Sequence, residues 1–260
     1  METFFQRCFF RSPVVVSAAF HGNQTFKMLM KTDDIRYAPL YRIPEVAAYT
    51  RGNLSTLRTW VLGREHASRD GRRYPPVIRV EQVERPDSLS FINLIEAHVL
   101  VALRRTHQIP LPKIRDAVLW LRKELDSKHP LAELQIETDG LDVFVRHLNH
   151  LISASEKGQV VIRDVMERYL RRIERDAQGL PINFYPFTIS DRLGDTPKDI
   201  VINPAVAFGR PVVRGTRIAT SAIFERYTGG ESLLAIAKDY GLELRLVEEA
   251  LRSEIDQQAA

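Results

Sequence analysis

The chain has 260 residues, of which 44% are hydrophobic and 27% are charged, a composition typical of globular proteins. This length favours two small domains over one. The formal net charge of +4 is modest for a nucleic-acid-binding protein, so the distribution of charge is more informative than its sum. The single cysteine, Cys8, excludes an intramolecular disulfide and favours a reducing, cytoplasmic compartment. No apolar run reaches the roughly 18 residues that a membrane span requires.

Residues 1–35 are predicted to be a disordered or misassigned N-terminal extension. The first 30 residues carry three basic side chains, one acidic side chain and a short apolar run. That run is too short for a signal peptide and lacks a clean cleavage site between small residues. A true start at Met28 or Met30 is therefore the alternative to disorder, and globular structure is expected to begin near Arg36.

Two short helices separated by a turn are predicted at the start of the globular part. Ile43–Thr50 has a proline in its first turn, where proline fits a helix. Asn53–Leu62 places apolar side chains at helical spacing, and Arg51 and Gly52 form the turn between the two helices. This arrangement is typical of a helix-turn-helix. The next segment, Gly63–Val80, contains an Asp-Gly pair that suits the turn of a β-hairpin wing.

Positive charge concentrates in this predicted winged helix-turn-helix. Seven arginines and two acidic residues lie between Arg51 and Arg79, which gives a local charge of about +5 and indicates a DNA-binding surface. Side chains on the second helix and the wing can reach base edges or phosphate oxygens. The candidate DNA-binding residues are Arg51, Ser55, Thr56, Arg58, Thr59, Arg69, Arg72, Arg73 and Tyr74. The alternative is that these arginines merely solubilise a small domain.

Two amphipathic helices are predicted to follow the wing and to complete a DNA-binding domain over residues 36–131. The first helix, Leu89–Arg105, has serines before it that can cap its N-terminus. The second, Leu111–Leu125, has a proline near its start and apolar side chains at helical spacing. Trp60 and Trp120 are most simply explained as core residues.

The region over residues 132–190 is predicted to contain a β-hairpin and a helix that connect domains or mediate dimerisation. Hydrophobic alternation on both sides of Asp139-Gly140 predicts the hairpin over Glu133–Val145. Leu148–Ser153 is a candidate third strand. A helix is expected from Val160 to Asp176, with Gly179 after its end.

The last predicted domain covers residues 197–260. A segment rich in turn residues, Val201–Ile218, leads into three short helices between Thr220 and Ile255. Gly209 and Gly215 in this segment permit positive φ angles, and its prolines exclude helix around them. The last helix carries more acidic than basic side chains, so phosphate repulsion excludes it from a major groove, and it is expected to face protein. Its apolar stripe can pack its own domain or a partner.

Three arginines in the turn-rich segment, Arg210, Arg214 and Arg217, are the candidate partner-binding residues. They can contact DNA phosphates, occupy an acidic active site on a partner protein, or belong to a solvated loop. Elsewhere, His147 and His150 have a spacing that can support a metal ion, but no carboxylate or thiolate set surrounds them. Common nucleotide-binding, hydrolase and redox motifs do not occur, so we expect neither an enzyme nor a cofactor.

Several motifs carry resemblances to known families. Asn203–Pro204, Phe208–Arg217, Gly230–Ser232 and Ile236–Gly241 resemble the DUF433 family, whose members are commonly thought to be bacterial antitoxins. The order of Tyr41–Ala47, Leu57–Trp60, a wing and two helices resembles the MerR-type DNA-binding domain. With Leu89–His98 and Leu111–Arg115, the segment from Tyr41 to Leu131 resembles still more closely the DNA-binding domain of VapB45-type antitoxins.

These resemblances imply a mainly α protein with small β elements: a winged helix-turn-helix, a central hairpin and helix, and a C-terminal three-helix domain. They imply an antitoxin that binds operator DNA as a homodimer, represses its own operon and neutralises a PIN-like ribonuclease toxin. MerR-type effector-binding regions have no evident counterpart in this chain. A stand-alone transcriptional regulator and a protein–protein adaptor are the alternatives.

Overall fold

A computed structural model of the chain describes residues 34–65, 73–81, 84–107, 109–136, 139–152, 156–187 and 197–258. These residues are mostly helical, with four small antiparallel strand pairs, which confirms the predicted fold class. From Asp34 onwards the chain forms one compact unit. In the described part of the chain, no helix is long and apolar enough to cross a membrane.

The helices and strands follow each other in a simple order along the chain. The helices are α1 Ile43–Thr50, α2 Leu54–Leu62, α3 Phe91–His107, α4 Leu111–Glu124, α5 Pro130–Glu133, α6 Asp139–Ile152, α7 Glu156–Leu170, α8 Thr220–Thr228, α9 Leu233–Tyr240 and α10 Leu244–Gln258. The strands are β1 Tyr41–Arg42, β2 Arg64–Glu65, β3 Arg73–Tyr74, β4 Ser88–Leu89, β5 Ile173–Arg175, β6 Pro181–Phe184, β7 Ile200–Val201 and β8 Val212–Val213. The strands pair as β1 with β4, β2 with β3, β5 with β6, and β7 with β8.

The predicted helix-turn-helix is present as α1 and α2. The side chain of Glu45 accepts a hydrogen bond from the Arg42 backbone N–H at 2.7 Å, which caps the start of α1. Arg51 ends α1 in a left-handed conformation with φ of 53°. A side chain at Gly52 would lie 2.9 Å from Val101 on α3, so the turn needs glycine for close packing.

The hydrophobic core of this unit is centred on α3, which packs against α7, α5 and α1. Its largest buried side chains come from the helix-turn-helix and from the central region alike. They include Trp60, Phe91, Phe144, Tyr169 and Phe184. The burial of Trp60 confirms its prediction as a core residue, whereas Trp120 is half-buried and stacks on the His147 ring with centroids 3.9 Å apart.

The hairpin predicted over Glu133–Val145 is wrong, because Asp139–Ile152 forms helix α6. Leu141, Phe144, Val145 and Leu148 are all buried at helical spacing, and burial of this one face outweighs the apparent alternation. The Asp-Gly pair lies in the first turn of the helix, where an acidic side chain is favourable. The candidate strand over Leu148–Ser153 is also wrong, since α6 continues to Ile152.

The central region does contain a hairpin, but later in the chain than predicted. Helix α7 ends at Leu170 and not at Asp176, and β5 pairs with β6 across a turn that includes Gly179. Gly179 has φ of 80°, and the amide end of the Gln135 side chain lies beside it. The positive φ angle thus favours glycine in this turn.

The C-terminal part contains the three predicted helices, α8, α9 and α10. Val247 and Leu251 in the middle of the α10 apolar stripe are buried in the chain's own core, whereas Leu244 and Ile255 at its ends are exposed. Strand β6 continues into this part through a backbone bridge, with Phe184 N–H to Ile202 carbonyl at 2.9 Å and the reverse bond at 2.8 Å. Helix α10 also packs against α1 of the helix-turn-helix.

A buried arginine joins the central region to the C-terminal part. Arg172 donates to the carbonyls of Tyr185, Pro186 and Pro197 at 2.8, 2.9 and 3.1 Å. Burial lowers the pKa of Arg172 to about 10, although the charge of Glu249 on α10 opposes this shift. The domain boundaries at residues 131 and 190 remain sequence predictions.

Candidate nucleic-acid interface and partner surface

Helix α2 has one buried face and one exposed face. Leu57, Trp60 and Val61 are buried in the core. Ser55, Arg58 and Leu62 are exposed, and their spacing of three and four residues places them on a single stripe. This stripe, which we call the α2 stripe, has the geometry of a recognition helix that presents side chains to a groove.

The hydroxyl groups predicted to contact DNA are hydrogen-bonded within the helix itself. The side-chain oxygen of Asn53 caps α2 and accepts from the Thr56 N–H at 3.1 Å, from the Ser55 hydroxyl at 2.7 Å and from the Thr56 hydroxyl at 3.3 Å. The Thr59 hydroxyl donates to the Ser55 carbonyl at 2.9 Å. These hydroxyls can still accept hydrogen bonds, but their donor capacity is in use.

Arg58 differs from those hydroxyl groups. It is exposed at the centre of the α2 stripe and makes no hydrogen bond or ion pair with the residues that the structure describes. A guanidinium in this state presents all its donors to solvent or to a ligand. Arg51 lies in the turn before α2, where its carbonyl accepts from Arg105 at 2.8 Å.

The wing is present as the antiparallel pair of β2 and β3. Arg64 pairs with Tyr74 and Glu65 pairs with Arg73, which confirms a hairpin at the predicted place. The candidates Arg69 and Arg72, together with the Asp-Gly turn, lie outside the described residues. The side chains of Arg73 and Tyr74 also lie outside them.

The chain that leaves the wing is clamped to the end of α2. The backbone N–H groups of Val77 and Ile78 both donate to the Trp60 carbonyl, at 2.7 and 3.0 Å. Arg122 on α4 donates to the Val77 carbonyl at 3.0 Å. Val77 and Ile78 are fully buried, so the base of the wing and α2 are held together.

A buried polar network supports the chain that follows the wing at Arg79 and Glu81. His129 is 3% exposed and its two ring nitrogens lie 3.0 Å from Glu96 and 2.7 Å from Glu81. Burial alone would lower the pKa of His129, but the hydrogen bonds to both carboxylates raise it to about 9. Asn93 donates to the Arg79 carbonyl at 2.8 Å and lies beside the same Glu96.

The three candidate partner-binding arginines are all exposed in the C-terminal part. Arg214 lies near the Tyr185 ring, with 5.5 Å between its guanidinium carbon and the ring centroid. The Tyr185 hydroxyl donates to Glu174 at 2.6 Å, and this bond lowers the pKa of Glu174. The side chains of Arg210 and Arg217, on the same segment, make no hydrogen bond or ion pair with the described residues.

Phe208 is the most exposed large hydrophobic side chain in the described part of the chain, at 86%. Its backbone is left-handed, with φ of 57°, as is that of Ala207 before it and Gly209 after it. A non-glycine residue in this region costs free energy, so surrounding contacts must hold the turn in place. Gly209 lies close to one such neighbour, because an added side chain there would overlap the Tyr41 hydroxyl oxygen.

Comparison with known proteins covers most of the chain. Residues 39–118 match the model of the family HTH_66, described as "Putative DNA-binding HTH domain". Residues 200–252 match the DUF433 model, described as a protein of unknown function. A relative from Mycobacterium tuberculosis is 28% identical over 82% of this chain and 92% of its own length. It is named "Putative antitoxin VapB45". The resemblance inferred from the motifs is confirmed.

Two further proteins of Mycobacterium tuberculosis are similar. One, named "Uncharacterized protein Rv2308", is 27% identical over 75% of this chain and 82% of its own length. The crystal structure of Rv2018 matches with a TM-score of 0.62 at 23% identity, covering 83% of this chain and 98% of that one. At this identity the structural match supports the fold alone. No group of three or more potential metal-ligating side chains occurs within the described ranges, and His147 is instead stacked on Trp120.

Sequence reasoning missed three features of these surfaces. The exposure of Phe208 had one local signal, a large apolar residue directly before a turn glycine. The His129 network and the hydrogen bonds of Arg172 had no local sequence signal, because the partners of these residues lie 13 to 48 residues away in the sequence.

Proposed function

We propose that this chain is an antitoxin that binds operator DNA, represses its own operon and neutralises a PIN-like ribonuclease toxin. The observation that carries this proposal is the exposed α2 stripe, centred on Arg58, with a wing clamped to the end of the same helix. Helix and wing together offer a protruding surface for a major groove and its flanking phosphates. The similarity to a protein named as an antitoxin supports the functional class.

DNA contact in this proposal comes from the turn, α2 and the wing. Arg58 reaches base edges or phosphates, and Arg51, Arg69, Arg72, Arg73 and Tyr74 contact the backbone, with Ser55, Thr56 and Thr59 as hydrogen-bond acceptors. The protein acts as a homodimer, so that two α2 stripes face successive half-sites of an operator. Its role is regulatory and not catalytic.

Toxin contact comes from the C-terminal part. Arg210, Arg214 and Arg217 provide exposed donors that suit carboxylates on the toxin. Phe208 adds a large apolar side chain on the same segment, and aromatic and arginine side chains are the residue types most often decisive in interfaces. Helix α10 carries more acidic than basic side chains, and phosphate repulsion of these charges supports this division of roles.

A test of the toxin part is to co-express the full chain with the product of the neighbouring small open reading frame. We expect the two proteins to purify as a stable complex and the chain to restore growth. Absence of both the complex and the rescue would contradict the antitoxin assignment. DNA binding without a complex would instead support a stand-alone regulator.

A test of the DNA part is fluorescence anisotropy with the duplex upstream of the chain's own gene. The affinity should fall steeply between about 50 and 200 mM salt, because each phosphate contact releases counterions. Binding that is absent, or that does not depend on salt, would contradict the DNA assignment and favour a protein–protein adaptor.

A further inference from the structure

A small cavity lies between the chain that leaves the wing and one face of α4. Its volume is about 170 Å³. The lining residues are Pro75, Pro76, Val77, Arg79, Arg115, Val118, Leu119 and Arg122. Val77 and Arg122 also hold the base of the wing, but the cavity itself is not lined by the α2 stripe or by the partner-binding arginines.

The lining combines apolar walls with arginine side chains. Proline, valine and leucine side chains form most of the wall, and no carboxylate occurs among the lining residues that the structure describes. Three arginines around one apolar cavity form a site for a ligand with a negative charge and a short hydrocarbon part.

Two of these arginines are held deep in the protein. Arg115 and Arg122 lie two helical turns apart on the same face of α4 and are 7% and 9% exposed. Arg122 is fixed by hydrogen bonds to the carbonyls of Val77 and Lys128, at 3.0 and 3.4 Å. A fixed, partly desolvated guanidinium loses little freedom when it binds an anion, which favours binding.

The charges around the cavity repel each other. Burial lowers the pKa of Arg122, and the positive charge of Arg79 lowers it further, while Glu96 opposes this shift. Arg79 is exposed, so it can move towards a ligand without breaking a buried contact. An anion between Arg79 and Arg122 would remove this repulsion and add charge-assisted hydrogen bonds.

We propose that this cavity binds a small organic carboxylate with a short hydrocarbon chain. The carboxylate lies between Arg79 and Arg122, and the hydrocarbon part lies against Pro76, Val118 and Leu119. The volume is below the roughly 300–1,000 Å³ of typical drug-sized ligand sites, which limits the ligand to a few heavy atoms. This site is independent of the antitoxin role.

The test is calorimetric titration of the full chain with butyrate, and with acetate, inorganic phosphate and butylammonium as comparison ligands. We expect saturable binding of butyrate that is tighter than that of acetate, and no binding of butylammonium. Arg79→Gln should weaken butyrate binding by about tenfold, since it removes one charged hydrogen-bond donor. Leu119→Trp should abolish binding by filling the cavity, at a position that is partly exposed and tolerant of size.

Lys113→Gln is the matched control, because Lys113 is exposed on the same helix but does not line the cavity. This variant should bind butyrate as the unmodified chain does. The proposal is overturned if butyrate does not bind, or if Lys113→Gln weakens binding as much as Arg79→Gln. It is also overturned if inorganic phosphate binds more tightly than butyrate, which would assign the cavity to a phosphate group.

Discussion

The helix-turn-helix of α1 and α2 and the three-helix unit of α8, α9 and α10 come from similar sequence signals but expose different chemistry. On α2, the Arg58 side chain is exposed and makes no hydrogen bond or ion pair with the described residues. On α10, Glu249 is buried and accepts from Arg252, and the helix packs against α1. The comparison teaches that a helical pattern alone does not identify a DNA-reading element. The two helices differ in whether an exposed arginine is engaged: Arg58 on α2 has no ion pair with the described residues, whereas Arg252 on α10 pairs with Glu249.

The two regions also differ in what holds them in place. The helix-turn-helix and its wing are stabilised by buried polar contacts from α3, α4 and α5. The C-terminal part is joined to the rest by the backbone bridge between Phe184 and Ile202 and by the close approach of Gly209 to the Tyr41 side chain. Four measurements test this contrast, beginning with the one for which we expect the largest effect.

Replacing Gly209 by alanine should destabilise the protein by roughly 3 kcal/mol, because it adds an atom 2.3 Å from the Tyr41 hydroxyl and strains a residue with φ of 76°. Gly215→Ala is the control, since φ there is 79° and nothing lies within 4 Å of the added atom. It should cost about 1 kcal/mol. Urea denaturation measures both values, and equal losses would show that the contact with Tyr41 does not matter.

The buried His129 network should give the protein a specific pH dependence. Because the pKa of His129 is raised to about 9, its contribution to stability is complete below about pH 6.5 and is lost as the pH rises through 9. This loss should amount to roughly 2 to 3 kcal/mol and should be absent in His129→Gln. Thermal denaturation across this pH window would detect it.

His98 provides an internal reference for the same titration. It is fully buried, and this burial lowers its pKa to about 3, so stability should fall as the pH drops below about 6.5. That acid-side decline should survive in His129→Gln. If the variant shows the same alkaline decline as the unmodified chain, the network does not stabilise the wing base through a charged histidine.

Phe208→Ala should weaken the complex with the proposed toxin by about 2 kcal/mol, the scale of an interface hot spot. DNA binding should not change, since Phe208 belongs to the C-terminal segment. Surface plasmon resonance with the purified toxin can measure the difference. Leu62→Ala, which removes an exposed side chain from α2, is the matched control and should leave toxin binding intact. If Leu62→Ala weakened toxin binding and Phe208→Ala did not, α2 and not the C-terminal segment would be the toxin-binding surface.

Arg58→Ala should weaken operator binding by about tenfold, a smaller effect that is specific to the α2 stripe. Arg252→Ala on α10 should have little effect, because Arg252 pairs with Glu249. Fluorescence anisotropy compares the two variants at one salt concentration. If both lose the same affinity, α2 is not the recognition helix.

The elements around the proposed DNA site were predictable because their signals are local. Pro44 and the Asn53 cap lie within a few residues of the helix starts that they mark, and α1 covers the predicted residues. The central hairpin was misplaced because Leu141 and Val145 fit both a strand and a helix pattern. Burial of α6 against α4 decided between them, and a single sequence does not contain that information.

The candidate site was predictable in outline but not in detail. The pattern identified Arg58 and the hydroxyl residues, but it could not show that Asn53 already occupies two of those hydroxyls. Contacts between residues that are far apart in the sequence could not be predicted, because sequence spacing does not determine which polar groups meet after folding. The wing clamp between Trp60 and Val77 is the clearest example.

The bridge between Phe184 and Ile202 determines the smallest part of the chain that can be studied alone. A fragment beginning at Pro197 would lose β6 and leave the backbone groups of Ile202 as an open strand edge, which promotes self-association. A fragment ending at Phe187 would deprive Arg172 of its Pro197 acceptor. We therefore expect fragments cut at the family boundaries to aggregate or lose stability, and point substitutions in the intact chain are the better tool.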